Sequence, residues 1–109
     1  MTTLDKSKIY QLKTFGQKLR ELRGKEKLLL RQVAAAVEMD TALLSKIERG
    51  ERMPNREQVL TFATFFKVKA DDLVVAWLSD KLASEVQNEH VGLKAIKIAE
   101  KKMKFNNKG

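Results

Sequence analysis

The chain has 109 residues and a formal net charge of +8, and 43% of its residues are hydrophobic, which predicts one small domain. It has no cysteine and a single histidine, His90, so disulfides, thiolate zinc sites and cysteine nucleophiles are excluded. We therefore expect no enzymatic activity, no metal and no cofactor. Its longest apolar run has six residues, far below the roughly 20 that a membrane span needs, and its first 13 residues do not resemble a signal peptide. We expect a cytoplasmic protein without a membrane partner.

The positive charge is distributed unevenly along the chain. Residues 11–56 hold 11 Lys and Arg against 6 Asp and Glu, whereas residues 57–93 hold 3 against 6. Residues 94–109 hold 6 Lys and 1 Glu. This asymmetry favours a polyanionic partner, and nucleic acid before a membrane surface, although a solvated lysine-rich surface has the same pattern.

The spacing of apolar residues is helical along nearly the whole chain, and no segment alternates as a strand would. Four apolar residues spaced by three and four positions define the stripe of a first helix: Leu12, Phe15, Leu19 and Leu22. We expect Thr14 to cap this helix and the helix to end near Glu26. A second helix is expected over residues 30–37. A third, with Asp40 as its N-cap, is expected over residues 41–49.

A capping box formed by Asn55 and Gln58 opens a fourth helix. Four apolar residues form its inner face: Val59, Phe62, Ala63 and Phe66. A fifth helix starts at residues 70–72, and its apolar pattern continues to Val86. Three of its residues are expected to face the core: Leu73, Ala76 and Trp77. A last helix is expected over residues 93–104, with four apolar residues on one side: Leu93, Ile96, Ala99 and Met103.

The second and third helices are each about eight residues long and are joined by a short turn, which is the size of a helix-turn-helix. The run RQVAAAVEMDTALLSKIERGERMP, residues 31–54, resembles the helix-turn-helix of the Cro/repressor superfamily, or XRE family. The resemblance extends from residue 14 to about residue 78. The motif positions that carry the resemblance are Gln32 to Ala34, Leu44 to Glu48, Gly50 and Pro54. Small size and a helical extension make the chain similar to restriction-modification controller proteins.

The resemblance implies an all-α fold with a five-helix, lambda-repressor-like DNA-binding domain, which we place at residues 10–79. A helical, lysine-rich C-terminal extension would occupy residues 80–109. The chain departs from the family pattern at Leu29, where a Ser or Thr cap is usual, and at Glu38, where the turn often has Gly. The next position after the cap, often a phosphate-binding Gln, is Leu30.

The resemblance implies that the third helix lies in the major groove and that its N-terminal residues face base edges. Its apolar residues Leu44 and Ile47 would pack against the core, so the other side of the helix would face the DNA. The residues left on its outer side are Thr41, Ala42, Ser45 and Lys46. Five cations near this helix are predicted to contact phosphates: Lys27, Arg31, Arg49, Arg52 and Arg56. The resemblance also implies a structural ion pair between Arg23 and Glu48.

We expect a transcriptional regulator that binds double-stranded DNA at a specific sequence, as a homodimer on a palindromic operator. The long apolar pattern of the fifth helix predicts a dimer joined through residues 71–90, with recognition helices about 34 Å apart. In one alternative, the chain's own last helix folds back and covers this pattern; in another, the last helix extends and its lysines reach flanking DNA. Two alternatives remain at this stage. An antitoxin would regulate its own gene and bind a toxin through residues 80–109, and a helical protein–protein adaptor would not bind DNA.

Overall fold

The computed structural model describes residues 12–107, and this part of the chain is helical without strands. Its six helices are α1 (Phe15–Lys25), α2 (Leu30–Ala36), α3 (Thr41–Glu48), α4 (Arg56–Phe66), α5 (Ala70–Val86) and α6 (Gly92–Asn107). The predicted all-α fold, with five helices followed by a helical extension, is confirmed. The predicted ends of the first three helices lie one residue beyond the observed ends, and α6 continues past its predicted end to Asn107.

Of the three cap residues that the sequence predicts, Thr14 and Asn55 make capping hydrogen bonds with their side chains and Asp40 does not. The Thr14 hydroxyl accepts from the Gln17 N–H at 3.1 Å, and the Gln17 side chain accepts from the Thr14 N–H at 2.9 Å. Asn55 and Gln58 form the same reciprocal pair at 2.8 and 2.9 Å. Asp40 occupies the N-cap position of α3, but its side chain makes no capping hydrogen bond, so this prediction is only half right.

One hydrophobic core joins α1 to α5. Within residues 12–107 it consists of Phe15, Leu19, Val33, Ala34, Leu44, Ile47, Val59, Phe62, Ala63, Phe66, Leu73, Ala76 and Trp77. The inner faces predicted for α4 and α5 are therefore confirmed. Leu12 does not belong to the stripe of α1, because it precedes the helix and is 69% exposed. No side chain of α6 reaches this core.

α1 crosses the end of α3 at very short range. Gly16 is buried, and a Cβ atom at this position would lie 2.4 Å from the Ile47 carbonyl oxygen and 2.5 Å from that of Glu48. No side chain fits between backbones this close. The absence of a side chain at Gly16 therefore sets the distance between α1 and α3.

α5 is tied to the N-terminal half by two long-range hydrogen bonds. The Asp80 carboxylate accepts from the Phe15 N–H at 2.8 Å, which satisfies a free donor of the first turn of α1. The buried Trp77 donates its Nε1–H to the Pro54 carbonyl at 2.8 Å. α5 runs without interruption through residues 79 and 80, where we placed the domain boundary, and that boundary stays a prediction.

Gly16→Ala is expected to destabilise the fold by about 2–3 kcal/mol, because the new methyl group forces α1 away from α3. Gly24→Ala in the same helix is the matched control. A Cβ there meets nothing within 4 Å, so this change should stabilise by about 0.5–1 kcal/mol through helix propensity. Urea unfolding of both variants measures the difference, and equal effects would contradict the close crossing.

Candidate nucleic-acid interface

α2 and α3 are joined by a tight turn that bends at Glu38. This residue has a φ of 55°, in the left-handed region that Gly normally occupies. The Met39 N–H then donates to the Ala34 carbonyl at 2.8 Å and closes the turn. The departure from the usual Gly therefore leaves the turn geometry intact, at a conformational cost of about 1 kcal/mol.

The start of α2 shows how the chain manages without a Ser or Thr cap. The Leu29 N–H donates to the Gln32 side-chain oxygen at 2.7 Å, which is one half of a capping box. The Leu29 side chain cannot accept a hydrogen bond and is exposed. Leu30, at the position where the family often has a phosphate-binding Gln, packs against the edge of the core instead.

α3 presents a polar outer face because its apolar residues are held by the core. Leu44 and Ile47 are buried. The predicted base-reading residues lie on the other side of the helix, where Thr41, Ala42 and Lys46 are exposed and Ser45 is partly buried. All four lie on the side of α3 that faces away from the core, with Thr41 and Ala42 in its first turn and Lys46 in its last turn.

The five predicted phosphate ligands are all exposed, and two of them already have partners. Arg49 pairs with Glu51 at 2.9 Å and donates to the Ser45 carbonyl at 3.3 Å. The Arg56 guanidinium lies 5.3 Å from the Trp77 ring centroid, within cation–π range. The remaining three make no ion pair with any other residue of the range 12–107: Lys27, Arg31 and Arg52.

Arg23 and Glu48 form a bidentate ion pair between α1 and α3. Arg23 Nε lies 2.8 Å from Glu48 Oε2, and Nη2 lies 2.9 Å from Oε1. The side chains are only 18% and 6% exposed, respectively. The hydrogen bonds to Glu48, with its negative charge, raise the pKa of Arg23 above its ordinary value against the opposing effect of burial. Arg23 Nη1 also donates to the Leu28 carbonyl at 3.0 Å, so the pair orients the loop that carries Lys27.

The sequence analysis missed the anchor of the loop after α3. The hydrogen bond from Trp77 to the Pro54 carbonyl fixes the end of this loop, which carries Arg52. Lys81 lies 4.1 Å from the Trp77 ring centroid and shields the ring on α5. Trp77 and Pro54 are 23 positions apart, so no local pattern indicates their contact.

Two other features are absent from the described range, residues 12–107. No group of His, Asp and Glu side chains there is arranged to hold a metal ion. None of the helices in that range has the length and apolar character needed to cross a bilayer.

Comparison with protein families decides the classification. A model described as a helix-turn-helix domain matches residues 14–77, which is more than half of the chain. The chain belongs to the helix-turn-helix domain family. The matched segment of this helix-turn-helix protein contains α1 to α4 and the first eight residues of α5. The resemblance inferred from the sequence is confirmed.

The helix-turn-helix protein has a bacterial relative and a solved structural neighbour. It is 40% identical over 63 residues to the uncharacterized HTH-type transcriptional regulator RghRB of Bacillus subtilis (strain 168). That match covers 57% of this chain but only 45% of the relative. The restriction-modification controller protein C.AhdI from Aeromonas hydrophila, a crystal structure, is 32% identical with a TM-score of 0.52. This second match covers 54% of the chain and 89% of the controller protein. The helix-turn-helix segment is therefore similar to segments of one protein named as a transcriptional regulator and of another named as a controller protein.

Arg23→Ala is expected to destabilise the fold by about 3 kcal/mol, because Glu48 would be left shielded from water without its partner. Arg20→Ala, which removes an exposed arginine from the same helix, should change the stability by less than about 0.5 kcal/mol. Urea denaturation followed by circular dichroism measures both variants. A loss of under 1 kcal/mol for Arg23→Ala would mean that the pair contributes no more than a surface ion pair.

Proposed function

We propose that this protein is a transcriptional regulator that binds double-stranded DNA at a specific sequence, as a homodimer on a palindromic operator. The observation that carries the proposal is the outer face of α3, where exposed hydrogen-bonding side chains stand within a frame of cations. In a helix-turn-helix, this face of the second helix enters the major groove. The protein would act in the cytoplasm, without enzymatic activity or a cofactor.

Each residue on the outer face of α3 has a defined chemistry toward bases. Lys46 would donate to guanine O6 or N7. Thr41 and Ser45 offer hydroxyl groups that donate or accept, and Ala42 offers only a methyl contact, which suits the thymine methyl group. Lys46 is therefore the strongest candidate for base discrimination.

The surrounding cations would fix the position of α3 on the DNA without reading its sequence. Three of the five, Lys27, Arg31 and Arg52, are exposed and have no ionic partner within residues 12–107. Arg49 would exchange its exposed partner Glu51 for a phosphate, and Arg56 would keep its contact with Trp77. About five phosphate contacts correspond to a log–log salt slope of roughly −4 to −5.

A homodimer joined through residues 71–90 would place two recognition helices about 34 Å apart, one helical turn of DNA. Exposed apolar residues on α5, Leu78 and Leu82 among them, support this surface. An adaptor without DNA binding would not need the cations around α3. One relative is named as a transcriptional regulator and the other as a controller protein, and these names support the regulator.

A competition gel shift tests the proposal. Fragments of the region upstream of the protein's own gene serve as probes, with unrelated DNA of equal length as competitor. A regulator of this kind binds one fragment about 1,000-fold or more tightly than the unrelated DNA at physiological salt. Equal affinity for all fragments would argue against sequence-specific regulation at that locus, and no affinity at all would favour the adaptor.

Lys46→Ala is expected to weaken specific binding by about 1–3 kcal/mol and to relax the preference at one base pair, because one base contact is lost. Fluorescence anisotropy with the bound fragment and its single-base variants gives both quantities. Lys67→Ala is the control, since Lys67 follows the opposite end of α4 from the cations near α3. If the Lys46 variant keeps the ratio of specific to non-specific affinity, Lys46 does not read bases.

Arg52→Ala is expected to weaken binding to all sequences alike and to reduce the salt slope by about one unit, because one phosphate contact is lost. The measurement is a titration at several salt concentrations with specific and non-specific DNA. Lys67→Ala again controls for net charge. An unchanged slope for Arg52→Ala would remove Arg52 from the phosphate ligands.

A further inference from the structure

α6 is a basic, amphipathic helix without a partner in the described part of the chain. Every one of its residues after Gly92 is exposed. It carries five Lys and one Glu. Its apolar residues include Ile98, with 43% exposure, and Phe105, with 78%. A helix of this kind needs a surface that covers its apolar side and accepts its positive charge.

The apolar side of α6 that centres on Ile98 is also its most basic side. Ile98 lines one shallow surface groove with Val91 and Lys94, and a second groove with Lys101 and Phe105. Lys102 lines both grooves. The opposite side, with Leu93, Ile96 and Met103, lies next to the only acidic residue of the helix, Glu100. The Ile98 side is therefore the side of α6 that an acidic surface would attract more strongly.

α5 carries a stripe of complementary character. Five residues spaced by four, three, four and three positions share one face: Asp71, Val75, Leu78, Leu82 and Glu85. Its apolar members Val75, Leu78 and Leu82 are 65%, 40% and 61% exposed. An acidic residue stands at each end, and α5 as a whole holds four acidic residues against one Lys. We call these five residues the α5 stripe.

The turn between the two helices keeps α6 away from the α5 stripe of its own chain. The Glu89 N–H donates to the Val86 carbonyl and the Gly92 N–H to the Glu89 carbonyl, both at 3.0 Å. A Cβ at Gly92 would lie 2.6 Å from the Val86 carbonyl oxygen, so the start of α6 is wedged against the end of α5. Folding back would break this contact, and the exposure of both apolar surfaces shows that they do not meet within one chain.

Two copies of the α5 stripe are poor partners for each other. An antiparallel pair of α5 helices centred on Leu78 would bring Asp71 of one copy toward Glu85 of the other. Both carboxylates are negative, and like charges brought together at an interface are unfavourable. Packing α6 on the stripe instead brings lysines to both acidic ends.

We infer that α6 of one subunit packs its Ile98 side on the α5 stripe of a second copy of the same chain. Two-fold symmetry forms this contact twice, so each subunit gives one α6 and receives one. The lengths are compatible, since Val91 to Phe105 on α6 and Asp71 to Glu85 on α5 each span about 21 Å along their helices. The inference rests on the homodimer of the proposed function. It keeps α5 as one half of the interface and makes α6 of the second subunit the other half, in place of a contact between two α5 helices.

Charge exchange on the full-length chain tests the inference. One variant, Lys101→Glu with Lys102→Glu, changes the Ile98 side of α6. A second, Asp71→Lys with Glu85→Lys, changes the α5 stripe. The matched control, Lys97→Glu with Lys104→Glu, makes the same change of charge on α6 away from the Ile98 side. Sedimentation velocity gives the dimer dissociation constant of each, and circular dichroism confirms that each is folded.

Each exchanged variant alone is expected to raise the dimer dissociation constant by about tenfold or more, because two like-charged surfaces then face each other. Mixing the two variants restores a dimer, since every α5–α6 contact is again between opposite charges. A single chain that carries all four substitutions also dimerises. The Lys97 and Lys104 control keeps a dissociation constant close to that of the unchanged chain.

Three results would overturn the inference. A full-length chain that stays monomeric at micromolar concentration has no such interface. If the Lys101 and Lys102 variant dimerises as tightly as the unchanged chain, the dimer interface does not include the Ile98 side of α6. The same result is expected if α6 contacts only DNA. Failure of the four-fold variant to dimerise while folded removes the charge pairing. DNA affinity is measured separately by anisotropy and tests the proposed function. A dimer that does not bind DNA contradicts the proposed function, whereas DNA binding without a dimer contradicts this inference.

Discussion

The position of the recognition helix α3 depends on its contact with α1. Two residues of α1, seven positions apart, converge on the end of α3: Gly16 lies against the backbone and Arg23 holds the Glu48 side chain. The first contact sets the distance between the two helices. The second contact, together with the buried Leu44 and Ile47, fixes the rotation of α3 about its axis. This rotation determines which side chains of α3 face outward.

Electrostatics divides the molecule into regions with different tasks. The surface around α3 is positive, α5 is acidic, and α6 is positive again. Electrostatic attraction would bring the first surface to a polyanion, but it would also draw α6 to DNA unless an acidic surface competes. The α5 stripe is such an acidic surface. Its apolar centre can also pack against the apolar side of an ordered helix such as α6, a contact that a disordered lysine tail does not make.

The sequence predicted best where the signal is local. The Thr14 cap, the Asn55 capping box and the inner face of α4 depend on residues within one or two turns of each other, and all are present. Leu12 was assigned wrongly because periodicity alone does not mark the first residue of a helix. Asp40 is the N-cap residue of α3, as predicted, but its side chain does not make the expected capping hydrogen bond. The residue type at a cap does not by itself fix the side-chain rotamer.

Contacts between distant segments lay beyond local patterns. The bond from the Phe15 N–H to Asp80 spans 65 positions, and nothing near either residue indicates it. The Arg23 and Glu48 pair came only from the family resemblance, because charge and spacing alone do not select one arginine among several. The existence of α6 followed from periodicity, but the direction in which it leaves α5 depends on how Gly92 packs against Val86.

The hydrogen bond between Trp77 and Pro54 has a consequence for conformational entropy. A loop that orders only when it meets its ligand loses backbone freedom at that moment, and the loss weakens binding. The loop after α3 is fastened at its far end by a buried side chain of α5 from the time the chain folds. Most of the ordering of Arg52 and its neighbours therefore belongs to folding, and the loop meets its ligand already close to its final shape.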